Sequence, residues 1–479
     1  MLRWKRLRTN RLNSAWRQLV RTILISLLLM WSCMTQGQSN PVPFITQPLV
    51  PNAVAPGTEQ IQLKVRGAGF VAGSVVKWNS TSLATTFLTS DRVSATVPGT
   101  LLKRKGTISI TMLNPGPGGG VSNVASFSVR GPSNTVAYSR TDLAVEMSPQ
   151  VAAIADFNVD GKPDLAVAET GSNTVSVLLG NGDGTFQGLA DYASDSQPQA
   201  PIVGDFNHDG KLDMAVPSYA LNTVSVFLGN GDGTFQQAVR YVTGAAPAYG
   251  LAVDLNRDGV LDLVTVNQGT NTISVLFGNR DGSFQSNIDY PVDDDPDWVD
   301  AGDFNGDGNL DLAVSNFGSG TVSILLGTGA GTFLPEVSYL VGGGPGSVVT
   351  ADLNGDQKLD LVISNQLSNV VTVLLGRGNG TFGARTDYLV SGNANRAIVA
   401  DLNQDNKPDL VVITQKPSVD ILLGRGEGTF RKLLSFPTGN CPFAISAADF
   451  NQDGRLDLMS VNGCDNTISI LLGKIGSSE

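Results

Sequence analysis

The chain has 479 residues and a formal net charge of −11, with 43 acidic residues, 32 basic residues, three cysteines and one histidine. Nucleic-acid binding requires Lys and Arg clustered on one face of a domain, and the basic residues here cluster only near the N-terminus, so a nucleic-acid partner is excluded. The sequence also lacks a catalytic Cys/His pair and the H-E-x-x-H and G-x-S-x-G motifs. It therefore offers no set of catalytic residues for nucleophilic or zinc-dependent hydrolysis.

Residues 1–38 are predicted to be a secretory signal. Seven basic residues and no acidic residue precede the apolar run from Thr22 to Trp31, which is too short to span a bilayer. Cleavage is expected between Ser32 and Gln38, with lipidation of Cys33 as an alternative. Removal of the segment takes the net charge from −11 to about −18. No later segment is long and apolar enough for a transmembrane helix, which predicts a protein that is secreted or held on the outer cell surface.

Residues 41–130 are predicted to form a small β-sandwich. Short alternating runs such as Ile61 to Val65 are separated by Gly and Pro turns, as in an immunoglobulin-sized sandwich. The series V-R-G-A-G-F-V-A-G-S-V-V-K-W-N at residues 65–79 resembles the IPT/TIG immunoglobulin-like domain. That resemblance implies a spacer or adhesion module, in which Phe70 and Trp78 are expected to be core residues.

The stretch D-F-N-V-D-G-K-P-D at residues 156–164 returns six more times. The copies begin at residues 205, 254, 303, 352, 401 and 449, so the interval is 49 residues five times and then 48. A period in this range is typical of stacked or radially arranged units. The seven copies therefore predict a single repeat domain, here over residues 134–474.

Each copy places Asp, Asn, Asp and Asp at positions 1, 3, 5 and 9. Hard divalent cations take six to eight oxygen ligands, and a backbone carbonyl at position 7 supplies another, so the pattern predicts up to seven calcium ions. An EF-hand is rejected because position 12, Val167 in the first copy, is apolar instead of Glu. An acidic surface turn is the alternative for any one copy. The fifth copy is the least suited, because Gln357 stands where a sharp turn favours Gly.

The predicted metal-binding residues are Asp156, Asn158, Asp160, Lys162, Asp164, Asp205, Asn207, Asp209, Lys211, Asp213, Asp254, Asn256, Asp258, Val260, Asp262, Asp303, Asn305, Asp307, Asn309, Asp311, Asp352, Asn354, Asp356, Lys358, Asp360, Asp401, Asn403, Asp405, Lys407, Asp409, Asp449, Asn451, Asp453, Arg455 and Asp457.

Each repeat is predicted to form four antiparallel strands. In the first repeat they cover Val151–Ala155, Leu165–Glu169, Thr174–Leu179 and Phe186–Tyr192, as in a propeller blade. The recurring cation loop, the D-L-A-V strand and the L-L-G-N-G-D-G-T-F turn resemble the FG-GAP/VCBS repeat family. The resemblance implies an all-β, seven-bladed propeller with calcium in the loops. Because open sheet edges invite aggregation, Thr135–Val145 is expected to complete the last blade.

Three residues are predicted to take part in ligand binding. Tyr249, Trp298 and Arg396 lie five residues before the first Asp of their loops, where the other repeats carry small or aliphatic residues and one serine. They are expected on the face opposite the cation loops, and their joint replacement by alanine is expected to abolish binding without lowering the melting temperature. The alternative is a set of solvated loops around one packed aromatic residue. The only histidine, His208, is expected to face solvent.

The sequence thus predicts an exported calcium-binding adhesion or ligand-binding protein, and no enzyme. Cys441 and Cys464, the cysteines left after export, are expected to form a disulfide. The expected partner of this monomer is a glycan or a cell-surface protein. The alternatives are the propeller of a secreted polysaccharide-active enzyme and a purely architectural surface protein.

Overall fold

The computed structural model describes residues 40–474, except residues 41, 91, 117, 132–135 and 189. The predicted signal at residues 1–38, with Cys33, and the start of the predicted closing strand at Thr135 lie outside the described residues. Every regular secondary-structure element in the described residues is a β-strand, so the predicted all-β class is confirmed. Within the same residues, no helix combines the length and apolar composition that a membrane span requires.

The first ten strands belong to the N-terminal part of the chain. They are β1 (Phe44–Val50), β2 (Ala53–Val54), β3 (Gln60–Ala68), β4 (Val75–Trp78), β5 (Thr81–Ser82), β6 (Ala84–Thr89), β7 (Arg92–Pro98), β8 (Gly106–Asn114), β9 (Gly120–Val121) and β10 (Ala125–Val129). One sheet has the order β1-β3-β7-β6 and the other β2-β10-β8-β4-β5, with β9 paired to β8.

The two N-terminal sheets enclose one apolar core. Alternate residues of β7, which runs from Arg92 to Pro98, point into this core, as expected for a sheet with one solvated face. Phe70 and Trp78 are buried there, as predicted, and the Trp78 ring packs on Phe127 with their centroids 5.0 Å apart. We call this part the sandwich.

The remaining strands form seven four-stranded sheets, numbered here in chain order. The strand preceding them is β11 (Ala137–Ala144). Sheet 1 contains β12 (Pro149–Ala155), β13 (Asp164–Glu169), β14 (Thr174–Leu178) and β15 (Ala190–Ala193). Sheet 2 contains β16 (Ile202–Gly204), β17 (Asp213–Ser218), β18 (Thr223–Phe227) and β19 (Val239–Val242). Sheet 3 contains β20 (Pro247–Val253), β21 (Asp262–Asn267), β22 (Thr272–Leu276) and β23 (Ile288–Pro291).

The later sheets repeat this plan. Sheet 4 contains β24 (Pro296–Gly302), β25 (Asp311–Asn316), β26 (Thr321–Leu325) and β27 (Val337–Leu340). Sheet 5 contains β28 (Pro345–Ala351), β29 (Asp360–Asn365), β30 (Val370–Leu374) and β31 (Thr386–Leu389). Sheet 6 contains β32 (Ala394–Ala400), β33 (Asp409–Thr414), β34 (Ser418–Gly424) and β35 (Phe430–Pro437). Sheet 7 contains β36 (Pro442–Ala448), β37 (Asp457–Asn462) and β38 (Thr467–Lys474), and β11 is its fourth strand.

The first strands of the sheets form a closed ring, as in a β-propeller. Each first strand contacts the first strand of the next sheet, and β36 contacts β12. β11 pairs antiparallel with β38, in a register that opposes Ala137 to Lys474 and Ala144 to Thr467. The predicted closure by the strand before the first repeat is therefore confirmed. Strands β11 and β38 come from opposite ends of the repeat region. Their pairing gives sheet 7 four strands, the same number as the other sheets.

In sheets 1 to 5 the fourth strand begins later than predicted, whereas in sheet 6 it begins at Phe430, the residue equivalent to Phe186. In sheet 1 the ladder starts at Ala190, and Phe186 makes only an isolated bridge to Gly180. Gly182 and Gly184 adopt positive φ and form a tight turn just before Phe186. Phe186 instead packs edge-on against Phe450 of sheet 7, with ring centroids 5.9 Å apart. The G-T-F turn thus joins neighbouring sheets through an aromatic contact.

The second strand of every sheet ends in a buried polar residue. These residues are Glu169, Ser218, Asn267, Asn316, Asn365, Thr414 and Asn462. Glu169 is the only carboxylate in the set, and it accepts hydrogen bonds from the hydroxyls of Thr174 and Ser176 and from the backbone N–H of Glu146. Burial raises the pKa of Glu169, although these three donors oppose the shift.

Candidate metal centres and ligand site

Seven nine-residue loops join the first and second strands of the sheets at one end of the ring, which we call the loop end. They are loops 1 to 7, at residues 156–164, 205–213, 254–262, 303–311, 352–360, 401–409 and 449–457. Position 6 is left-handed in every loop, with five glycines at φ of 80–87°, Gln357 at 69° and Asn406 at 66°. Position 4 is left-handed as well, which the sequence analysis did not anticipate.

The Asp at position 9 is fully buried in all seven loops. In loop 1, Asp164 Oδ2 accepts a hydrogen bond from the Phe157 N–H (2.8 Å), and Oδ1 accepts one from the Gly180 N–H (2.8 Å). The same two bonds occur at every equivalent Asp. This Asp therefore joins the loop to the turn after the third strand. The sequence analysis predicted it only as a metal ligand and did not anticipate this structural role.

The side chains at positions 1, 3 and 5 also bond to the loop backbone. Asp156 accepts hydrogen bonds from the N–H groups of Asp160 (3.0 Å) and Gly161 (2.9 Å). Asn158 Oδ1 accepts one from the Asp160 N–H, and Asp160 Oδ1 accepts one from the Lys162 N–H. The predicted ligands of one loop therefore share a compact turn. Within the described residues, no three carboxylate, imidazole or thiol groups converge as in a preformed metal site.

The loops hold partly buried negative charge. The pKa of the Asp164 carboxyl is raised to about 7, mainly because burial disfavours the charged form and also because Asp156 and Asp160 carry like charges. Burial and the charges of Asp449 and Asp453 raise the pKa of Asp457 to about 8 in the same way. A set of carboxylate, amide and carbonyl oxygens with an unbalanced negative charge fits a hard divalent cation in donor chemistry.

Position 4 links neighbouring loops. His208 Nε2 lies 2.8 Å from the Gly259 carbonyl oxygen in loop 3, and Gln404 and Gln452 donate to the position-6 carbonyls of loops 7 and 1. Arg257 makes the equivalent bond to loop 4. The expectation that His208 merely faces solvent is therefore wrong: the ring is half-buried, and burial lowers its pKa. The sequence already indicated this linking role, because position 4 carries long polar side chains in four of the seven copies.

The sandwich covers the loop end of the ring. Val42 N–H donates to Asp205 Oδ2 (3.3 Å), Asn52 Nδ2 donates to the Asp401 carbonyl (2.8 Å), and Thr107 Oγ1 donates to the Asp453 carbonyl (2.9 Å). At sheet 5, Lys64 Nζ lies 3.1 Å from Asp352 Oδ2, and Arg66 donates to the carbonyl and hydroxyl of Thr350. Four of these contacts involve Asp residues of the predicted metal loops: three are at position 1 and one, Asp453, is at position 5.

The three predicted ligand-binding residues meet at the end of the ring opposite the loops, which we call the free end. The Tyr249 and Trp298 rings stack with centroids 3.4 Å apart and an interplanar angle of 13°. The Arg396 guanidinium lies over the Trp298 ring, 4.4 Å from its centroid. Tyr249, Trp298 and Arg396 come from sheets 3, 4 and 6 and are all half-buried. Their packing on one another argues against the expectation that all three can be replaced without loss of stability, which stays untested.

Asp297 completes this cluster, and the sequence analysis did not single it out. Its carboxylate accepts hydrogen bonds from Arg396 (3.1 Å), Gln366 (3.0 Å) and Gln268 (3.2 Å). Burial raises the pKa of Asp297, whereas the Arg396 charge and these hydrogen bonds lower it. We call Tyr249, Asp297, Trp298 and Arg396 the free-end cluster. Asp297 ends the acidic run D-D-D-P-D at residues 293–297, just before Trp298. Its partner Arg396 lies 99 residues farther along the chain, so no local pattern reveals the ion pair.

A cavity of about 460 Å³ lies between the first strands of the ring. The sandwich borders it at the loop end with Phe44, Arg66 and Asn123. Tyr249, Trp298 and Arg396 line it at the free end, and most of the wall between is aliphatic, from residues such as Ile202, Leu251 and Ile445. An apolar cavity with a few polar groups at one mouth is a common form of ligand site.

Cys441 and Cys464, the predicted pair, are joined in a disulfide with Cα atoms 5.3 Å apart. Cys441 precedes β36, and Cys464 lies in the turn between β37 and β38. The bond therefore ties together two connections of sheet 7, the sheet in which both ends of the repeat region meet.

The fold and the repeated loops define a β-propeller-like repeat protein. A model of the FG-GAP-like repeat matches residues 156–216, 254–314, 303–363, 352–412 and 401–460, which together form more than half of the chain. The chain belongs to the family of FG-GAP-like repeat proteins, so the predicted membership is confirmed. The IPT/TIG likeness of the sandwich stays a prediction. No curated protein sequence matches the chain.

Solved structures resemble the chain in fold. BBS1N in complex with ARL6DN has a TM-score of 0.50 and 11% identity, covering 71% of this chain and 98% of its own. A Bacteroides uniformis protein described as a 6-phosphogluconolactonase has a TM-score of 0.50 and 14% identity, covering 70% and 94%. An Agrocybe aegerita lectin specific for non-reducing terminal N-acetylglucosamine has a TM-score of 0.45 and 18% identity, covering 77% and 95%. At these identities the similarity concerns the fold alone.

Proposed function

We propose that this chain is an exported calcium-binding protein that recognises a glycan or a cell-surface protein at its free end. Calcium has a structural role in the loops, and the sandwich is an IPT/TIG-like module that caps the loop end. The observation that carries the proposal is the difference between the two ends of the ring. The sandwich covers the loop end through hydrogen bonds to several sheets, whereas the free end carries the free-end cluster.

The calcium part rests on the donor chemistry of the loops. In loop 1 the side chains of Asp156, Asn158, Asp160 and Asp164 and the carbonyl of Lys162 would hold the ion, and the other loops would use the equivalent residues. Calcium would supply the positive charge that balances three neighbouring carboxylates, whose mutual repulsion contributes to the raised pKa of Asp164. The glycine or amide residue at position 6 supports the turn that keeps these donors together.

The ligand part rests on the chemistry of the free-end cluster. The Asp297–Arg396 ion pair offers acceptor oxygens and donor N–H groups, and both side chains are only partly exposed, at 13% and 16%. The Tyr249–Trp298 stack supplies a rigid apolar surface beside them, although Tyr249 and Arg396 cover the two faces of the indole. A sugar hydroxyl or a polar protein side chain would therefore bind the charged pair and contact the edges of the rings.

Export is supported by the disulfide, because such bonds persist in oxidising compartments. It agrees with the expectation that residues 1–38 are a secretory signal.

The test is binding of the purified exported protein to a broad glycan array, in calcium and in chelator. An Arg396→Met variant removes the charge that pairs with Asp297, and Leu389→Ala on the outermost strand of sheet 5, where Leu389 is 69% exposed, is the matched control. Glycan binding that Arg396→Met weakens and Leu389→Ala preserves supports the free end as a glycan site. Binding that both variants retain places the site elsewhere and contradicts the proposal.

If no glycan binds, the same three proteins are tested by cross-linking to intact cells. Capture that depends on Arg396 would identify a protein ligand. If neither glycan nor cell-surface protein binds, recognition at the free end is refuted, and an architectural role takes its place.

A further inference from the structure

Loop 5 differs from the other loops in the partner of its first carboxylate. Asp352, at position 1, accepts hydrogen bonds from the Gly355 and Gln357 N–H groups, as the turn requires. Its Oδ2 also lies 3.1 Å from Nζ of Lys64, which comes from β3 of the sandwich. At the equivalent position, Asp205 receives a bond from the uncharged Val42 N–H. The ammonium at loop 5 thus stands beside an oxygen that a metal ion would otherwise bind.

The loop's own lysine does not account for this difference. Lys358 Nζ lies 3.3 Å from Asp356 Oδ2, but Lys162 makes the same contact with Asp160 in loop 1, at 3.0 Å. Loop 5 therefore has two of its three carboxylates paired with ammonium groups. Its third carboxylate, Asp360, accepts hydrogen bonds from the Leu353 and Gly376 N–H groups.

The backbone of loop 5 does not explain the difference either. Gln357 is the residue that makes the loop unpromising in sequence, yet it adopts φ of 69°, close to the 66° of Asn406 and within the left-handed region that the glycines use. The turn therefore forms in spite of the side chain. What separates loop 5 from its neighbours is the charge brought to it from the sandwich.

Lys64 belongs to a cationic patch of the sandwich that faces sheets 4 and 5. Arg66 follows it by two residues on β3 and so lies on the same face. Arg92 of β7 is directly opposite Arg66 in the register and donates to the Ala301 carbonyl of sheet 4. The Lys64 side chain is 46% exposed and that of Asp352 only 14%, so the pair lies at the edge of the contact between the sandwich and sheet 5.

We infer that the ammonium of Lys64 occupies the cation place of loop 5, so that this loop takes no divalent ion and instead fastens the sandwich to the ring. The inference rests on the proposed calcium function for the other loops. It assigns Lys64 the role of setting the calcium stoichiometry. Among the described residues, loop 5 is the predicted metal loop whose position-1 carboxylate forms an ion pair with a lysine of the sandwich.

The first test counts the calcium bound by the exported protein at saturation, by equilibrium dialysis and elemental mass spectrometry. Asp352→Asn is expected to leave the count unchanged, whereas Asp254→Asn at the same position of loop 3 lowers it by one. Lys64→Met, which keeps the length and removes the charge, is expected to raise the count by one. A count lowered by Asp352→Asn, or unchanged in Lys64→Met, overturns the inference.

The second test separates this inference from the calcium proposal. Hydrogen exchange is followed at residues 352–360 and 254–262 in chelator. Loss of a partly exposed ion pair is expected to speed exchange in loop 5 of Lys64→Met by up to about fivefold, with loop 3 unchanged. If the wild-type protein binds no calcium, the proposed function fails, but this local effect still supports the placement of Lys64. Equal exchange in both proteins overturns it.

Discussion

Replacement of Trp298 by alanine is expected to destabilise the ring even though the residue lies at a predicted binding surface. The variant removes a stacked contact with Tyr249 at 3.4 Å, worth about 1 kcal/mol beyond its buried area. It also removes the guanidinium contact with Arg396 at 4.4 Å, worth about 1 kcal/mol where solvent is partly excluded. The lost apolar burial of the partly buried indole adds about 2 kcal/mol, so the expected total loss is about 4 kcal/mol.

The assay is thermal unfolding in calcium, backed by urea unfolding of the same samples. A loss of this size is expected to lower the melting temperature by about 6 °C, because the shift per kcal/mol becomes smaller as a domain becomes larger. Leu389→Ala, at a residue that is 69% exposed, controls for removal of an apolar side chain and is expected to change stability by less than about 0.5 kcal/mol. A melting temperature that Trp298→Ala leaves unchanged would refute the stacked geometry and restore the indole as an open contact surface.

Three further predictions follow from the same structure. Phe206→Ala is expected to lower the free energy of unfolding by about 3–5 kcal/mol, because the buried ring packs on Phe284 of the next sheet. Phe206→Leu introduces the residue found at this position in loops 3, 5 and 6 and is expected to cost about 1 kcal/mol. Equal losses for the two variants in urea unfolding would contradict this packing. The folded-state pKa of Glu169 is raised above its ordinary value of 4.5, so its contribution to stability is present below pH 4.5 and is lost as pH rises through the folded pKa. Glu169→Gln is therefore expected to raise the melting temperature at pH 7.5 but not at pH 4, and an equal change at both would contradict the assignment. Chelation is expected to lower stability by about 2.7 kcal/mol for each loop that was at one hundred times its dissociation constant, and a melting temperature indifferent to chelator would refute structural calcium.

Much of the fold could be predicted because each repeat is specified by residues that lie close together in the sequence. The D-x-N-x-D pattern, the glycine turns and the alternating strands recur at a nearly constant interval, so each repeat specifies the same unit from contacts within itself. Closure by Ala137–Ala144 also followed from sequence, since the last repeat lacks a fourth strand and the first is preceded by a spare one. The late start of the fourth strand in sheet 1 was missed, because the packing of Phe186 on Phe450 of another sheet cannot be read from the sequence.

The sequence by itself determined the repeat, the loops, the candidate donors and the cysteine pair, because these depend on residue type and spacing along the chain. The tertiary structure alone decided which end of the ring the sandwich covers and which residues are neighbours at the other end. Arg396 meets Asp297 from 99 residues away, and Lys64 meets Asp352 from 288 residues away. Such pairs are set by ring closure and by the seating of the sandwich, and no periodic pattern within a repeat records them. The physical reason is that charge and aromatic contacts act over a few ångströms in space, whatever the separation along the chain.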